Sequence, residues 1–424
     1  MGVTQNQGAQ SGPAGEMVIT QSESLTAPAA TPAPRGDAIR AMRDGSRAFA
    51  IDLYRTLAAA SPRSNLFFSP YSVSLALTTA YEGARGETAS EIAQTLHLSS
   101  QGRDPHAQVA LFASGARELA NRQQRVQSSP TDENAFQLSI ANSVWTQNGV
   151  PILPKYKAAV EQGFNSTIQQ TNYIDDPASS RTAINQWVGK KTQQRITELI
   201  PPGGVDPSTR MVLANAVYFK AGWANRFDAD STYQAEFTSA NGAKSSVSMM
   251  HQRERFLYAR GEHFQAIELP YRGNVAMLVV LPEEGAFDRV EASLDAKTLD
   301  AITSSLVSRR VDLNMPKFAS GGEVALSNAV KQLGIERAFA QNADFSGMSQ
   351  HGGFALREVF HKGTITVDEE GTEAAAATGT TMRATAAYKD TKAVVTVQVD
   401  RPFITAIIDK ATGTILFLGR IATI

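Results

Sequence analysis

The chain has 424 residues, 42% of them hydrophobic and 19% charged, which is ordinary globular material able to bury a sizeable core. Its formal net charge of -1 gives no pull toward nucleic acid or an anionic membrane. The absence of cysteine excludes disulfides, thiolate zinc sites and cysteine nucleophiles.

Residues 1–36 contain no aromatic side chain and are rich in Ala, Pro, Gly, Ser, Thr and Gln, the composition of a disordered leader or tether. They lack the basic start and apolar block of a signal peptide. Asn6 stands where a myristoylation signal would need Ser or Thr. From Asp37 to Ala60, Met42, Phe49, Leu53 and Leu57 recur at helical spacing and predict an amphipathic helix. Ser69 and Pro70 supply a cap and a first-turn proline for a second helix ending about Gly83. Further helices are expected over Ser90–Leu96, His106–Gln124, Pro154–Gln162 and Ser179–Leu199.

After Pro201 the stretches "MVLANAVYFK", "HFQAIELPY", "VAMLVVLP", "VVTVQVDRPFITAIID" and "GTILFLGRI" are rich in β-branched and aromatic residues and predict strands. Helices return at Arg289–Leu306 and Leu326–Leu333. Helices concentrated early and strands mainly later indicate an α+β architecture with large sheets. No linker divides residues 37–424, which are expected to form one domain. No apolar run is long enough for a membrane-spanning helix.

Catalytic chemistry has little support. None of the histidines lies in an H-E-x-x-H pairing, so no metal site is expected, and no G-x-S-x-G elbow appears. "VGKKT" (Val188–Thr192) lacks the first glycine of a phosphate loop and sits in a helical pattern. Scattered carboxylates leave an acid–base pair open, although a solvated surface is their usual place.

"VDEEGTEAAAATGTTMRATAAYKD" (Val367–Asp390) is the odd segment. Taken as a strand and split by parity, its even positions Thr372, Ala374, Ala376, Thr378, Thr380, Met382 and Ala384 are all uncharged and mostly small. The odd positions Glu373, Ala375, Ala377, Gly379, Thr381 and Arg383 carry both charges. One face could be buried and the other wetted, and no proline would interrupt a central ladder. Left as a loop, the segment is too weakly hydrophobic to hold itself down. It is therefore expected to be exposed, extended and cleavable, yet able to enter a sheet; a flexible Ala/Thr linker is the alternative on composition alone.

The hinge "EEGTEAAAAT" (Glu369–Thr378) resembles that of the serpins, the serine-protease-inhibitor family. "NLFFSPYSVSLALTTAYEGARGETASEI", "INQWVGKKTQQRITELI" and "MVLANAVYFKAGWANRF" resemble further blocks of that family, as do "ELPYRG", "MPKFASGG", "ADFSGM", "VFHKGTITVDEEGTEAAA", "DRPFITAIID" and "ILFLGRI". They fall in the family's order from Ala38 to Ile424. The resemblance implies a single α+β domain with three β-sheets, eight to nine helices and an exposed reactive-centre loop. It also implies a protease inhibitor rather than an enzyme, a monomer that needs no cofactor. Its partner would be a serine protease, held as a covalent acyl complex. The severed loop would insert into the main sheet as a new strand; about fifteen residues at roughly 3.3 Å each span about 50 Å. The uncleaved fold would then be kinetically trapped.

By the same resemblance the hinge comprises Glu369, Glu370, Gly371, Thr372, Glu373, Ala374, Ala375, Ala376, Ala377 and Thr378. Ser69, Ser72, Asn215 and His361 match the polar cluster beneath the sheet called the shutter, and Trp223, Lys317 and Glu369 the breach at its top. Counting Gly371 as the first residue, the family's spacing places the cleaved bond at Thr385-Ala386. Small neighbours there suit an elastase-like or subtilisin-like enzyme. The stretch to "DRPF" is longer than the family's usual one, which leaves Arg383, Ala387 and Tyr388 as alternatives and Lys389 as a second trypsin-type attraction. Arg117, Arg122 and Arg125 lie where some serpins bind glycosaminoglycans, but Glu118 interrupts them and a solvated helical face is expected. Asn165-Ser166-Thr167 forms a glycosylation sequon. A secreted or extracytoplasmic location is expected, with an intracellular one left open. A non-inhibitory serpin acting as carrier, chaperone or storage protein remains the alternative, although its usual sign, a hinge spoiled by bulky, charged or proline residues, is absent.

Overall fold

The computed structural model describes residues 36–98, 105–127, 136–351, 353–372 and 393–424. Helix α1 (Gly36–Ala60) packs against α2 (Pro70–Gly83), with strand β1 (Leu66–Phe68) between them in sequence. Ser69 caps α2 by accepting from the Ser72 N–H at 3.1 Å, and Pro70 occupies its first turn, as the sequence predicts. Every residue of α2 except Glu82 is buried. A helix apolar all round belongs in a core, and α2 lies under the sheet strands described below. Helices α3 (Gly86–Thr95) and α4 (Pro105–Gln127) follow.

Strand β2 (Gln137–Gln147), helix α5 (Pro154–Ala158), strand β3 (Thr167–Thr171), helix α6 (Pro177–Lys191) and strand β4 (Met211–Gly222) come next. The expected helix Ser179–Leu199 ends eight residues early. Gln193 and Gln194 take positive φ values of 52° and 62°, and the chain folds back on α6. There Asn185 Oδ1 accepts from the Leu199 and Ile200 N–H groups, each at 2.9 Å. Strands β5 (Tyr233–Thr238), β6 (Lys244–Gly261), β7 (Phe264–Pro270) and β8 (Val275–Pro282) precede α7 (Phe287–Ser293) and α8 (Ala296–Ser305). One helix was expected over Arg289–Leu306; Asp295 breaks it by capping α8, accepting from the Thr298 N–H at 2.6 Å.

The remaining elements are β9 (Val307–Pro316), β10 (Phe318–Ala325), α9 (Leu326–Gln332), β11 (Leu356–Val367), β12 (Gly371–Thr372), β13 (Val395–Gln398), β14 (Phe403–Asp409) and β15 (Thr414–Ile421). The described residues thus hold nine α-helices. "VVTVQVDRPFITAIID" is two strands, interrupted where Pro402 removes a ladder donor.

A six-stranded sheet runs β10-β11-β12-β4-β2-β3, and a nine-stranded one runs β1-β15-β14-β8-β7-β6-β9-β13 with β5 on β6. Two of the three expected sheets are therefore joined, because β6 pairs with β5 over Lys244–Met249, with β9 over Met249–Tyr258 and with β7 at its end. Strand β4 is buried along almost its whole length, as suits a central strand covered on both faces. On one face a cluster of Trp145, Tyr173, Ile184, Val188, Leu199 and Ile200 packs under α6. The main core, with α2, lies on the other.

Candidate functional site

Strands β11 and β4 pair in parallel from Leu356/Met211 to Thr364/Tyr218; after a register shift between Leu356 and Glu358 the offset is constant and places His361 opposite Asn215. Antiparallel β2 continues the row, with Asn142 opposite Asn215. Three polar side chains at one level of three adjacent strands thus meet the N-terminus of α2. The Ser69 N–H donates to His361 Nε2 at 3.1 Å, which leaves the ring proton on Nδ1, where it donates to Asn215 Oδ1. Ser72 Oγ donates to the same oxygen at 2.9 Å. Asn215 Nδ2 donates to the Ser72 carbonyl at 3.1 Å and to Asn142 Oδ1.

His361 is fully buried, and burial lowers its pKa from the ordinary 6.5 to about 3. It is a neutral imidazole with both ring nitrogens hydrogen-bonded. The structure brings Ser69, Ser72, Asn215 and His361 together; it adds Asn142, which sequence reading missed. The available signal was the amide in "SIANSVW", set between the apolar Ile140-Ala141 and Val144-Trp145.

The second cluster lies where β11 reverses. Trp223, at the end of β4, donates its Nε1–H to the Asp368 carbonyl at 2.9 Å and its backbone N–H to the Glu370 carbonyl at 2.9 Å. Its ring stacks on Tyr271 at 4.1 Å. Lys317 Nζ reaches Glu369 Oε2 at 2.8 Å, and Thr232 Oγ1 donates to Glu369 Oε1 at 2.7 Å. Burial would raise the Glu369 pKa, but the bonds from Lys317 and Thr232 outweigh it and hold it below the ordinary value. Arg226 pairs with Glu370 at 2.7 Å. Asp368 Oδ1 accepts from the Glu370 and Gly371 N–H groups at 2.9 and 3.1 Å, closing the turn; burial nonetheless raises its pKa.

That turn delivers β12 between two strands. The offset that pairs His361 with Asn215 would pair Val367 with Ala221, but Thr372 stands between them, bonded to both. Thr372 is fully buried, and its hydroxyl lies 2.5 Å from that of Tyr271. Gly371 has φ +154°, and a Cβ there would meet the Ala221 carbonyl oxygen at 2.1 Å. Only glycine allows this approach. Gly371 and Thr372 are thus seated between β11 and β4, with Glu369 and Glu370 in the turn that leads to them. Glu373, Ala374, Ala375, Ala376, Ala377 and Thr378, with Arg383, Thr385, Ala386, Ala387 and Tyr388, lie outside the described residues.

The arginines for which a solvated helical face was expected are partly tied to the fold. Arg122 is drawn inward to Asp409, which is almost fully buried, at 2.8 Å, and Arg117 donates to the Gln162 carbonyl at 3.4 Å. The Arg125 side chain is outside the described residues.

Comparison with known proteins agrees with this geometry. The pattern of the family Serpin (serine protease inhibitor) matches residues 44–424, and the chain belongs to that family. An uncharacterized serpin-like protein of Thermococcus kodakarensis is 38% identical over 88% of this chain and 83% of its own length. The plasma serine protease inhibitor of Bos taurus is 34% identical over 89% of this chain and 90% of its own. The leukocyte elastase inhibitor of Bos taurus is 32% identical, over 88% and 97%. Among solved structures, human thyroxine-binding globulin complexed with its thyroid hormone superposes with a TM-score of 0.81 at 30% identity, covering 91% of this chain and 99% of that one. Uncleaved ovalbumin, at 23% identity and a TM-score of 0.78, shares the fold.

Proposed function

We propose that this chain is an inhibitory serpin that traps serine proteases as acyl-enzymes. The observation that carries the proposal is Thr372, which already occupies a strand position between Val367 and Ala221. Continuing both pairings along the chain brings Ala374 between Ile365 and Phe219, Ala376 between Gly363 and Val217, and Thr378 between His361 and Asn215. All are small and uncharged, and all share the buried side of Thr372, so entry costs neither overlap nor a buried charge. The protease would cut the segment with its own nucleophile. The freed strand would then separate β11 from β4, carrying the acyl-linked enzyme with it. The pairing gained in the enlarged sheet supplies the driving force.

Thr385-Ala386 is the proposed reactive bond, for an elastase-like or subtilisin-like target; the likeness to a leukocyte elastase inhibitor supports that choice. Mixing the protein with elastase-like, subtilisin-like, chymotrypsin-like and trypsin-like enzymes tests both points. A complex that survives denaturing electrophoresis is expected, and the first residue of the released peptide identifies the bond. A second reading, a non-inhibitory carrier, is favoured by the likeness to thyroxine-binding globulin. Clean cleavage without a stable complex across the whole panel would select it.

A further inference from the structure

Strands β6 and β9 carry an arginine cluster on their exposed side. Arg255 stands directly opposite Arg310, and Arg253 opposite Asp312. Arg253, Arg255 and Arg310 are all exposed. Leu257, 37% exposed, extends the same face beside Arg255. The one acid in the row, Asp312, is held by His251 at 2.8 Å, so the face is cationic on a chain whose formal net charge is -1. Like charges directly opposed across antiparallel strands destabilise a sheet. A surface that mixes arginine with an exposed leucine has the composition of an interface.

Its position suggests the partner. The chain that follows the bait segment resumes at residue 393 and enters β13, which pairs with β9, which pairs with β6. Strands lie about 4.8 Å apart, so the arginines sit one and two strands, or about 10 Å, from the strand the bait runs into. A protease domain is roughly 40 Å across and overhangs this face when it sits on the bait. We infer that Arg253, Arg255 and Arg310 form a docking surface for the attacking protease and favour enzymes with an acidic surface beside the active site. The inference rests on the bait function proposed above. Three arginines with an interleaved acid suit a local acidic patch better than a long polyanion, whose binding grows with the number of charges neutralised.

Anionic and cationic trypsin share primary specificity and differ in surface charge, and Arg383 and Lys389 offer both a bond to cut. The rate of attack on the bait, counting cleaved and complexed product together, would be measured at low and high salt. At low salt, anionic trypsin is expected to attack about tenfold faster than the cationic form, with the preference shrinking at high salt. The double variant Arg253→Gln/Arg310→Gln should abolish the preference. The double variant Lys155→Gln/Lys157→Gln, an equal charge change elsewhere on the surface, should leave it intact. Thermal midpoints would verify that each variant is folded. Equal rates for the two enzymes, no attack by either, or a preference untouched by the double variant would overturn the inference. So would heparin retention that the double variant abolishes while the rates stay the same. If cleavage occurs without a stable complex, the inhibitory reading falls, and the rate ratio still decides the docking surface.

Discussion

His361 and Asn215 are register partners on β11 and β4, and the imidazole Nδ1–H donates to the asparagine side chain across the seam that the proposed insertion would open. The bond holds the seam shut only while the ring is neutral with its proton on Nδ1. The folded pKa of about 3 lies below the ordinary 6.5, so on acidification the unfolded chain takes up the proton first. The stabilisation is complete above about pH 6.5 and is lost as pH falls toward 3, by at most about 1.4 kcal/mol per unit. Urea midpoints of the wild type should therefore fall between pH 7 and pH 5. His361→Asn should show a shallower dependence; an equal slope would mean that other groups control it.

Asn142 completes the row by accepting from Asn215. Asn142→Ala would leave a buried amide proton without its partner, at a cost of about 1–3 kcal/mol. The native state should be correspondingly less stable, and a loss below about 0.5 kcal/mol would remove Asn142 from the network.

Gly371 sits against the backbone of Ala221 and Gly222. A methyl group has no flexible neighbour to displace, so Gly371→Ala is expected to expel β12 from the seam. Hydrogen exchange at Ala221, Gly222 and Val367 should rise. Protection equal to the wild type would show that the strand position tolerates a side chain.

The elements that position the site differ in how far the sequence betrayed them. Strand β8 is a continuous apolar run, β4 is nearly so apart from Asn215 and Lys220, and α2 begins at an unmistakable Ser-Pro cap, so local chemistry located them. Strand β2 was missed because "QLSIANSVWTQ" mixes polar and apolar residues, and only its neighbours on both sides make it a central strand. The tail of α6 and the break before α8 depend on single side chains, Asn185 and Asp295, that satisfy backbone groups several residues away. Roles at the hinge came from likeness to a family. The location of Thr372 between Val367 and Ala221 is tertiary, since no pattern within residues 371–372 specifies which strands will part to receive them.

Tyr54, Glu291 and Arg420 offer a contrast between holding the fold and working the seam. The Arg420 guanidinium, 2% exposed, grips Glu291 at 2.9 and 3.0 Å, and the Tyr54 hydroxyl donates to the same carboxylate at 2.5 Å. Glu291→Gln leaves a buried cation without its counter-ion and should cost about 3 kcal/mol or more. The fraction of attacking protease that is trapped should not change, because none of these residues borders the seam. A changed trapped fraction would tie this network to insertion.

Thr378 provides the corresponding test at the seam. Continued pairing of β12 would place it between His361 and Asn215, at the level where the proposed insertion would break their hydrogen bond. Its side chain would then face the buried row beneath α2, where Ser69 and Ser72 lie and no charged partner is present. Thr378→Arg would bring an unpaired cation into that row, at a cost of several kcal/mol. Attack on the bait should proceed at the wild-type rate, since the residue precedes the proposed cut by several positions. Insertion should stall before the row opens, giving hydrolysis time to release the enzyme. The stoichiometry of inhibition is then expected to rise at least several-fold. Thr378→Ser, small and still hydroxylated, should behave as wild type. Full trapping by Thr378→Arg would mean that the strand does not enter in this register, and with it the proposed path from Thr372 to His361 would fall.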